Sequence, residues 1–315
     1  MSSARIPELQ EISVAKIDRN PENPRLLFRP AELEQLTESI RLYGVQVPIA
    51  VYRERSRFVL IDGERRWRCS LKLNLKTIPA LIQDKPSPLR NLLLMFNIHA
   101  LREQWDLLTL ALKLPRVIDL LAKELGTAPN ERQISERTGL SRGLIRRCKL
   151  LMELPQQYKD ELLAELDKPK THQKLSEDFF IEMERALKTI ERALPDIVQN
   201  KDRVRRVLID KYRKGIIANV VQFRQLPKIA RAEKVDISVV TARDVLLRVL
   251  SRNDYSIEQA YNDTVAAAYV DRDLRSRIQS LVERLTLYTP EDLDDETREQ
   301  LKLLVESASH LLDAE

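Results

Sequence analysis

Glycine is what most limits this chain: only six fall among its 315 residues, at positions 44, 63, 126, 139, 143 and 215. Neither a G-x-x-x-x-G-K-[ST] run nor a G-x-G-x-x-G run can be assembled from them, so both glycine-rich phosphate cradles are excluded. A chain poor in Gly and rich in Leu, Glu, Arg and Lys favours helix. Its length suggests about two domains, and a hydrophobic fraction of 43% suffices for real cores. No apolar run approaches the ~20 residues of a membrane helix. Residues 1–10 lack the apolar stretch of a signal peptide, so no membrane partner is expected.

Cys69 and Cys148 are the only cysteines. Two thiols so far apart make no disulfide scaffold and fit a reduced cytoplasm. His99, His172 and His310 are scattered, and no Cys or His pair has zinc-finger spacing. No Ser-His-Asp or Cys-His signature is evident.

The charge is uneven. The net formal charge is +5. From Glu131 to Leu151 six basic residues face two acids; from Lys201 to Lys234 eleven face three; from Thr286 to Glu315 nine acids face Arg298 and Lys302. Basic middle segments with an acidic end point to a polyanionic partner. The alternative is a set of solvated helix faces.

Along the chain, the first eighty-odd residues read as α/β. Ile12, Val14 and Ile17 form a short β-prone stretch. A helix is expected from Pro30, with Leu33, Leu36 and Ile40 at helical spacing and Gly44 at its C-terminal end. Val47 to Tyr52 and Phe58 to Ile61 are β-type runs, either a hairpin or neighbouring strands. A helix starting at Glu64 carries Trp67, Leu71 and Leu73, and Thr77 to Ile82 is a last strand. Lys85-Pro86-Ser87-Pro88 is a breaker. Helices follow almost everywhere: Leu89 to Ile98, then one or two over Trp105 to Leu125 that Pro115 opens or kinks. A linker runs over 126–130. Five later prolines punctuate a helical series, and Leu281, Leu285, Leu301, Leu304 and Leu311 allow amphipathic helices that pair with another chain. The expected domains are 1–87, 88–170 and 171–315.

The strongest local signal lies at about 131–152. Ile134, Leu140, Ile145 and Cys148 are apolar, Ser135 is small where two helices must approach, Gly139 falls at a sharp turn, and Ser141 can cap the next helix. These are the requirements of a helix-turn-helix. They leave Ser141, Arg142, Gly143, Arg146, Arg147 and Lys149 on the outside, where arginine can reach phosphates and guanine edges in a major groove. An ordinary helical hairpin with a charged surface is the competing reading.

The second signal is Gly63-Glu64-Arg65-Arg66-Trp67-Arg68. A helix that opens just after a glycine offers free N–H groups and its dipole to an anion. Arg65, Arg66 and Arg68 add charge-assisted donors suited to phosphate. A basic surface helix would look the same. Asp62 could hold a metal, although a single carboxylate there is more often a turn residue. Trp105 reads as core rather than as a stacking platform, and His99 as a helix-surface residue.

Asn23-Pro24-Arg25, the helix to Gly44, Gly44-Val45-Gln46-Val47-Pro48-Ile49 and the Gly63–Arg68 run, in this order and spacing, resemble the N-terminal domain of ParB-type chromosome and plasmid partition proteins. The 131–155 stretch, ending Leu150-Leu151-Met152-Glu153-Leu154-Pro155, is similar to the central helix-turn-helix of that family. The resemblance covers about 10–165. It implies an α+β, ParB/sulfiredoxin-like N-terminal domain followed by mostly helical helix-turn-helix and C-terminal domains. It also implies binding of CTP with Mg²⁺, used as a clamp switch on double-stranded DNA. Gly63, Glu64, Arg65 and Arg66 would hold the triphosphate, with Gly44 and Pro48 in the neighbouring loop. The family's E-N-x-x-R element is matched only by Asn97, which would serve nucleotide and metal, and by Arg102, which comes two residues late. Phe96 stands where the family carries an acid, and Val47 where it carries Gln. A carboxylate offsets metal charge or orients water; Phe does neither. At most a weak CTPase is expected.

The expected function is therefore sequence-specific DNA binding in plasmid or chromosome segregation. The chain would work as a homodimer with a partition ATPase, in the cytoplasm on the nucleoid or a plasmid. Two other readings stand beside it. One is a helix-turn-helix transcription regulator with a vestigial nucleotide pocket. The other is a ParB-fold enzyme such as a small-molecule kinase or nuclease, disfavoured because Cys69 lies within a helix and because a helix-turn-helix is attached.

Overall fold

The computed structural model describes residues 8–23, 27–100 and 106–313, leaving aside the side chains of residues 31, 99 and 100. Pro24, Arg25, Arg102 and Trp105, and the side chain of His99, lie outside that description. The chain divides into two compact units, Met1–Arg185 and Ala186–Glu315.

The first unit opens with a five-stranded mixed sheet. Its strands are β1 (Glu8–Ser13), β2 (Ile17–Asp18), β3 (Ile49–Glu54), β4 (Arg57–Asp62) and β5 (Thr77–Gln83), in the order β1-β5-β3-β4-β2. β3 and β4 are a hairpin, closed by Arg55 and Ser56 with Arg55 at φ 56°. β5 lies parallel to β3, and β2 parallel to β4. Alternation along the strands sorts their side chains onto two faces. Val51, Phe58 and Leu60 join Ile12, Val14, Ile17, Ile49, Ile78 and Ala80 in one cluster, with Trp67 against it. Tyr52, Val59 and Ile61 form the other, with Leu94 against it.

Helix α1 (Pro30–Tyr43) begins with proline at its first position and ends where the Gly44 N–H reaches Ile40 O at 2.9 Å. The β-type run expected from Val47 starts as a strand only at Ile49; Pro48 has no N–H to give a ladder. Helix α2 (Glu64–Lys72) follows β4, and α3 (Pro88–Ala100) follows the Lys85–Pro88 breaker.

Helix α4 (Leu107–Leu125) is one helix that runs through Pro115. Proline there costs one backbone hydrogen bond, but Leu108, Leu114, Val117 and Leu121 are all fully buried, and their burial outweighs that loss. Helices α5 (Glu131–Thr138), α6 (Arg142–Met152) and α7 (Gln156–Asp167) complete this unit, and α8 (Glu177–Ala193) leads out of it.

In the second unit α9 (Lys201–Arg213), α10 (Leu226–Ala230), α11 (Val239–Ser251) and α12 (Ile257–Asn262) surround a core that includes Leu208, Phe223, Ile229, Leu246 and Val265. Past Val265 that core ends. Neither α13 (Ala266–Leu285) nor α14 (Asp295–Leu312) contains a buried residue. Among the described residues no helix is long and apolar enough to cross a membrane.

Candidate functional site

The 131–152 segment folds as its residue types require. Asn130 caps α5 in a reciprocal capping box with Gln133. Gly139 stands at φ 75°, and its N–H closes on Ser135 O at 2.9 Å. The small Ser135 donates its hydroxyl to Leu140 O at 2.7 Å, tying the first helix to the turn. Ser141 then caps α6 by accepting from the Leu144 N–H at 3.2 Å. Ile134, Leu140, Ile145 and Cys148 are buried. Burial pushes the Cys148 thiol up to about 12, which makes it a core side chain rather than a nucleophile. The other thiol, Cys69, is buried and faces Leu33 O.

What remains outside is a row of cations. Ser141, Arg142, Gly143 and Arg146 are exposed, and Arg147 and Lys149 half-buried. Arg142 makes no side-chain hydrogen bond or ion pair among the described residues. Glu131 holds Arg146 at 3.0 Å and Lys149 at 3.4 Å. The Arg146 hydrogen bond keeps the Glu131 carboxyl below the usual carboxylate range. Arg147 is paired with Asp178 of α8 at 2.5 Å. Arg142, Arg146 and Lys149 are spaced i, i+4, i+7 on one face of α6. Glu131 and Asp178 were not legible as their partners, because they sit 15 and 31 residues away.

The second site is the turn from β4 into α2. Gly63 has φ 97° and no side chain to cap the helix. A Cβ there would stand 2.6 Å from Ile49 Cγ2, so the turn and β3 are in contact. Gly63 therefore brings no side-chain cap to the first turn of the helix. Arg66 fastens this turn to the 44–48 loop: Nη1 donates to Val47 O at 2.6 Å and to Pro48 O at 2.8 Å, and Nη2 to Asp62 at 2.9 Å. Arg65 donates to Glu32 O of α1 at 3.1 Å. Glu64 is buried. Its carboxylate takes Arg68 at 2.6 Å and Arg19 at 3.3 Å, and accepts from Asn23. It is thus the node that joins α2 to the chain before α1, a role with no sequence signal at separations of 41 and 45.

Gly63, Glu64, Arg65, Arg66 and Pro48 are brought together in this way, and Gly44 opens the same loop from its exposed position at φ 72°. Asn97 is placed differently. Its amide donates to Leu93 O and, at 3.1 Å, to Arg137 O of α5, which links α3 to the first helix of the 131–152 pair. Phe96 is fully buried. Asp62 pairs with Arg66 as a turn residue. Among the described residues there is no group of three or more His, Cys, Asp or Glu able to hold a metal.

Residues 2–97 match the family model of the ParB N-terminal domain. A nucleoid occlusion protein of Bacillus cereus is 30% identical over 160 residues, covering 50% of this chain and 52% of that protein. A probable chromosome-partitioning protein ParB of Pseudomonas putida is 34% identical over 157 residues, covering 49% of this chain and 51% of that protein. The chain thus spans about half the length of the curated relatives it matches. The crystal structure of a C-terminally truncated chromosome-partitioning protein ParB from Caulobacter crescentus, complexed with CTP-γ-S, aligns at 26% identity and a TM-score of 0.30, covering 53% of this chain and 90% of that one.

Proposed function

We propose that this chain, whose residues 2–97 match the ParB N-terminal domain, is a sequence-specific DNA-binding protein of the partition type. It reads duplex DNA with α6 and holds a nucleoside triphosphate, CTP first, at the Gly63 turn. The observation that carries the DNA reading is the α5–α6 pair. A left-handed glycine turn and a serine cap present exposed Arg142 and Arg146 on the second helix, while the buried face is apolar except for Thr138, whose hydroxyl donates to Ile134 O. Such a helix docks with its N-terminal residues against base edges. Glu131 gives up Arg146 at little cost, since solvent reaches the pair and screens its attraction.

Each phosphate contact made by these cations releases counterions. The logarithm of the binding constant should fall by about 0.9 per contact for each decade of salt. Fluorescence anisotropy on a labelled duplex from low to moderate salt tests this. An affinity unchanged by salt would remove phosphate contact from the reading.

The Gly63 turn fits the triphosphate better than it fits a metal. The helix start at Gly63 suits phosphate oxygens, and so do the Arg65 and Arg66 guanidinium groups once they exchange Glu32 O and the Val47, Pro48 and Asp62 oxygens for the ligand. The nearby carboxylates, Asp62 and Glu64, are already bound to arginines. Mg²⁺ would therefore reach this chain through the phosphates and water. With Phe96 buried and the described carboxylates of the turn, Asp62 and Glu64, bound to arginines, turnover is weak or absent. Calorimetry with CTP, ATP, GTP and UTP is expected to show CTP binding that Arg66→Ala abolishes, with little phosphate released. No heat with any triphosphate, even with DNA present, would leave a helix-turn-helix regulator whose pocket is vestigial.

We infer a homodimer formed through α13 and α14. Val270, Leu274 and Ile278 are all more than half exposed, and with Leu281 they make an apolar row on α13 that the chain itself does not cover. A chain ending at Asp271 keeps Tyr269, whose hydroxyl reaches Lys228 O at 3.4 Å. It should sediment as a monomer, and a persisting dimer would place the interface elsewhere. Paired copies would supply the two half-sites that specificity in a genome needs. Segregation of a plasmid or chromosome with a partition ATPase, in the cytoplasm, is the process this architecture suits.

A further inference from the structure

The second unit repeats the geometry of α5–α6. In α5–α6 the turn residue Gly139 is left-handed at φ 75°; between a short 3-10 turn at Ala232–Val235 and α11, Asp236 is left-handed at φ 61°. Counting from these two residues, the pairs agree at several positions, although the buried Ile134 five back is matched by Arg231 and the buried Leu140 one on by a half-buried Ile237. Four back, the small Ser135 matches the small Ala232, and their carbonyls accept from the N–H groups of Gly139 and Asp236. One back, Thr138 and Val235 are both buried. Two on, Ser141 and Ser238 are both helix caps, accepting from Leu144 N at 3.2 Å and Thr241 N at 3.1 Å. Six and nine on, Ile145 and Cys148 match Ala242 and Val245, and all four are buried. Seven on, Arg146 and Arg243 are each held by a carboxylate, Glu131 at 3.0 Å and Asp196 at 2.6 Å. The first limb differs, being α10 plus the 3-10 turn rather than one α-helix.

Two further features point to the ligand. Where α6 exposes Arg142 and Gly143, α11 exposes Val239 and Val240, 48% and 68% accessible. β-Branched apolar residues on the open first turn of a helix earn nothing from folding. A methyl-bearing surface at that position of a helix-turn-helix meets the C5-methyl of thymine in a major groove. The limb leading to it is basic. Arg224, Lys228, Arg231 and Lys234 stand against Glu233 and Asp236, and Lys228 is held above the Tyr261 and Tyr269 rings at 5.2 and 5.3 Å. Cations there suit phosphates on either side of the groove.

We propose that the segment Leu226–Ser251 is a second helix-turn-helix that binds duplex DNA, with Val239 and Val240 contacting thymine methyl groups. This rests on the same reading of α5–α6, and its test separates the two. Sites are selected from a random duplex pool with the full chain and footprinted. The wild type should protect two separate blocks of sequence per chain, one of them thymine-containing. Replacing thymine by uracil in that block should weaken wild-type binding about tenfold, the effect of two lost methyl burials. Val239→Ser with Val240→Ser is made on exposed positions, and an unchanged thermal melt checks its fold. This variant should bind about tenfold more weakly, lose the thymine preference, and no longer respond to uracil, while the other block stays protected. Arg142→Ala with Arg146→Ala should do the reverse. If the valine variant selects the same sites with the same affinity and the same uracil response as wild type, the second module is rejected, whatever the arginine variant does. If the arginine variant alone changes nothing, α6 is rejected instead.

Discussion

Arg142→Ala combined with Arg146→Ala is expected to lower affinity for a selected duplex by roughly 30-fold to 10⁴-fold, leaving the fold intact. Each bidentate arginine–guanine contact is worth about 1–3 kcal/mol, so two are worth about 2–6 kcal/mol. Both side chains lie on the exposed face of α6, Arg142 makes no hydrogen bond or ion pair among the described residues, and Arg146 loses only its surface pair with Glu131. Lys149→Ala provides the contrast. A lysine that meets a phosphate carries no sequence information, so its loss should weaken selected and scrambled duplexes alike. Anisotropy titrations on both duplexes, with thermal melts as the folding control, separate the two kinds of contact.

The largest effect on stability is expected from Gly63→Ala. Backbone at φ 97° is left-handed, which costs a residue with a Cβ about 1–2 kcal/mol. The new Cβ would also meet Ile49 Cγ2 at 2.6 Å and Ile49 Cβ at 3.0 Å. Ile49 is β-branched and completely buried in the sheet, so it cannot swing aside, and overpacking adds about 1–3 kcal/mol. The sum is about 2–5 kcal/mol, a fall in Tm of roughly 4–20 °C for a unit of this size. Gly63→Asn separates the two causes. Asparagine tolerates left-handed backbone, yet its Cβ meets the same atoms, so it should recover only the backbone part of the loss and still melt below the wild type. Recovery of wild-type melting by asparagine would assign the whole cost to the backbone. Because the same turn is the proposed anion site, CTP binding should fall with either variant even at temperatures where both are folded.

Much of this organisation is legible in local sequence. Pro30 and Gly44 bracket α1, Gly139 and Ser141 mark the turn and cap before α6, and the runs at 47–52 and 58–61 show two strands, a hairpin or neighbours, because each of these rests on residues a few positions apart. Contacts made across the fold leave no such trace. Glu64 reads as a phosphate-site residue but is buried against Arg19, Arg68 and Asn23. Arg66 reads as a free donor but already serves two carbonyls. Asn97 reaches Arg137, forty residues on. Charge counts fail for the same reason. Of the eleven cations between 201 and 234, Arg205 and Lys211 are buried, and Lys211 gives its ammonium to Arg252 O and Tyr255 O. Burial lowers the Lys211 pKa, so it is a structural donor rather than a DNA contact. The α11 turn escaped notice because Asp236 and Ala232 stand where Gly139 and Ser135 stand in α5–α6, and the helix before it is broken.

Reading of base edges by α6 is tested most directly by selecting binding sites from a random duplex pool, using the full chain and the single variants Arg142→Ala and Arg146→Ala. The wild type should return one defined motif. Each arginine variant should return the same motif relaxed at a base pair of its own, with guanine lost there and the flanking positions kept. Identical motifs from all three proteins, or no motif from the wild type, would contradict base reading by this helix.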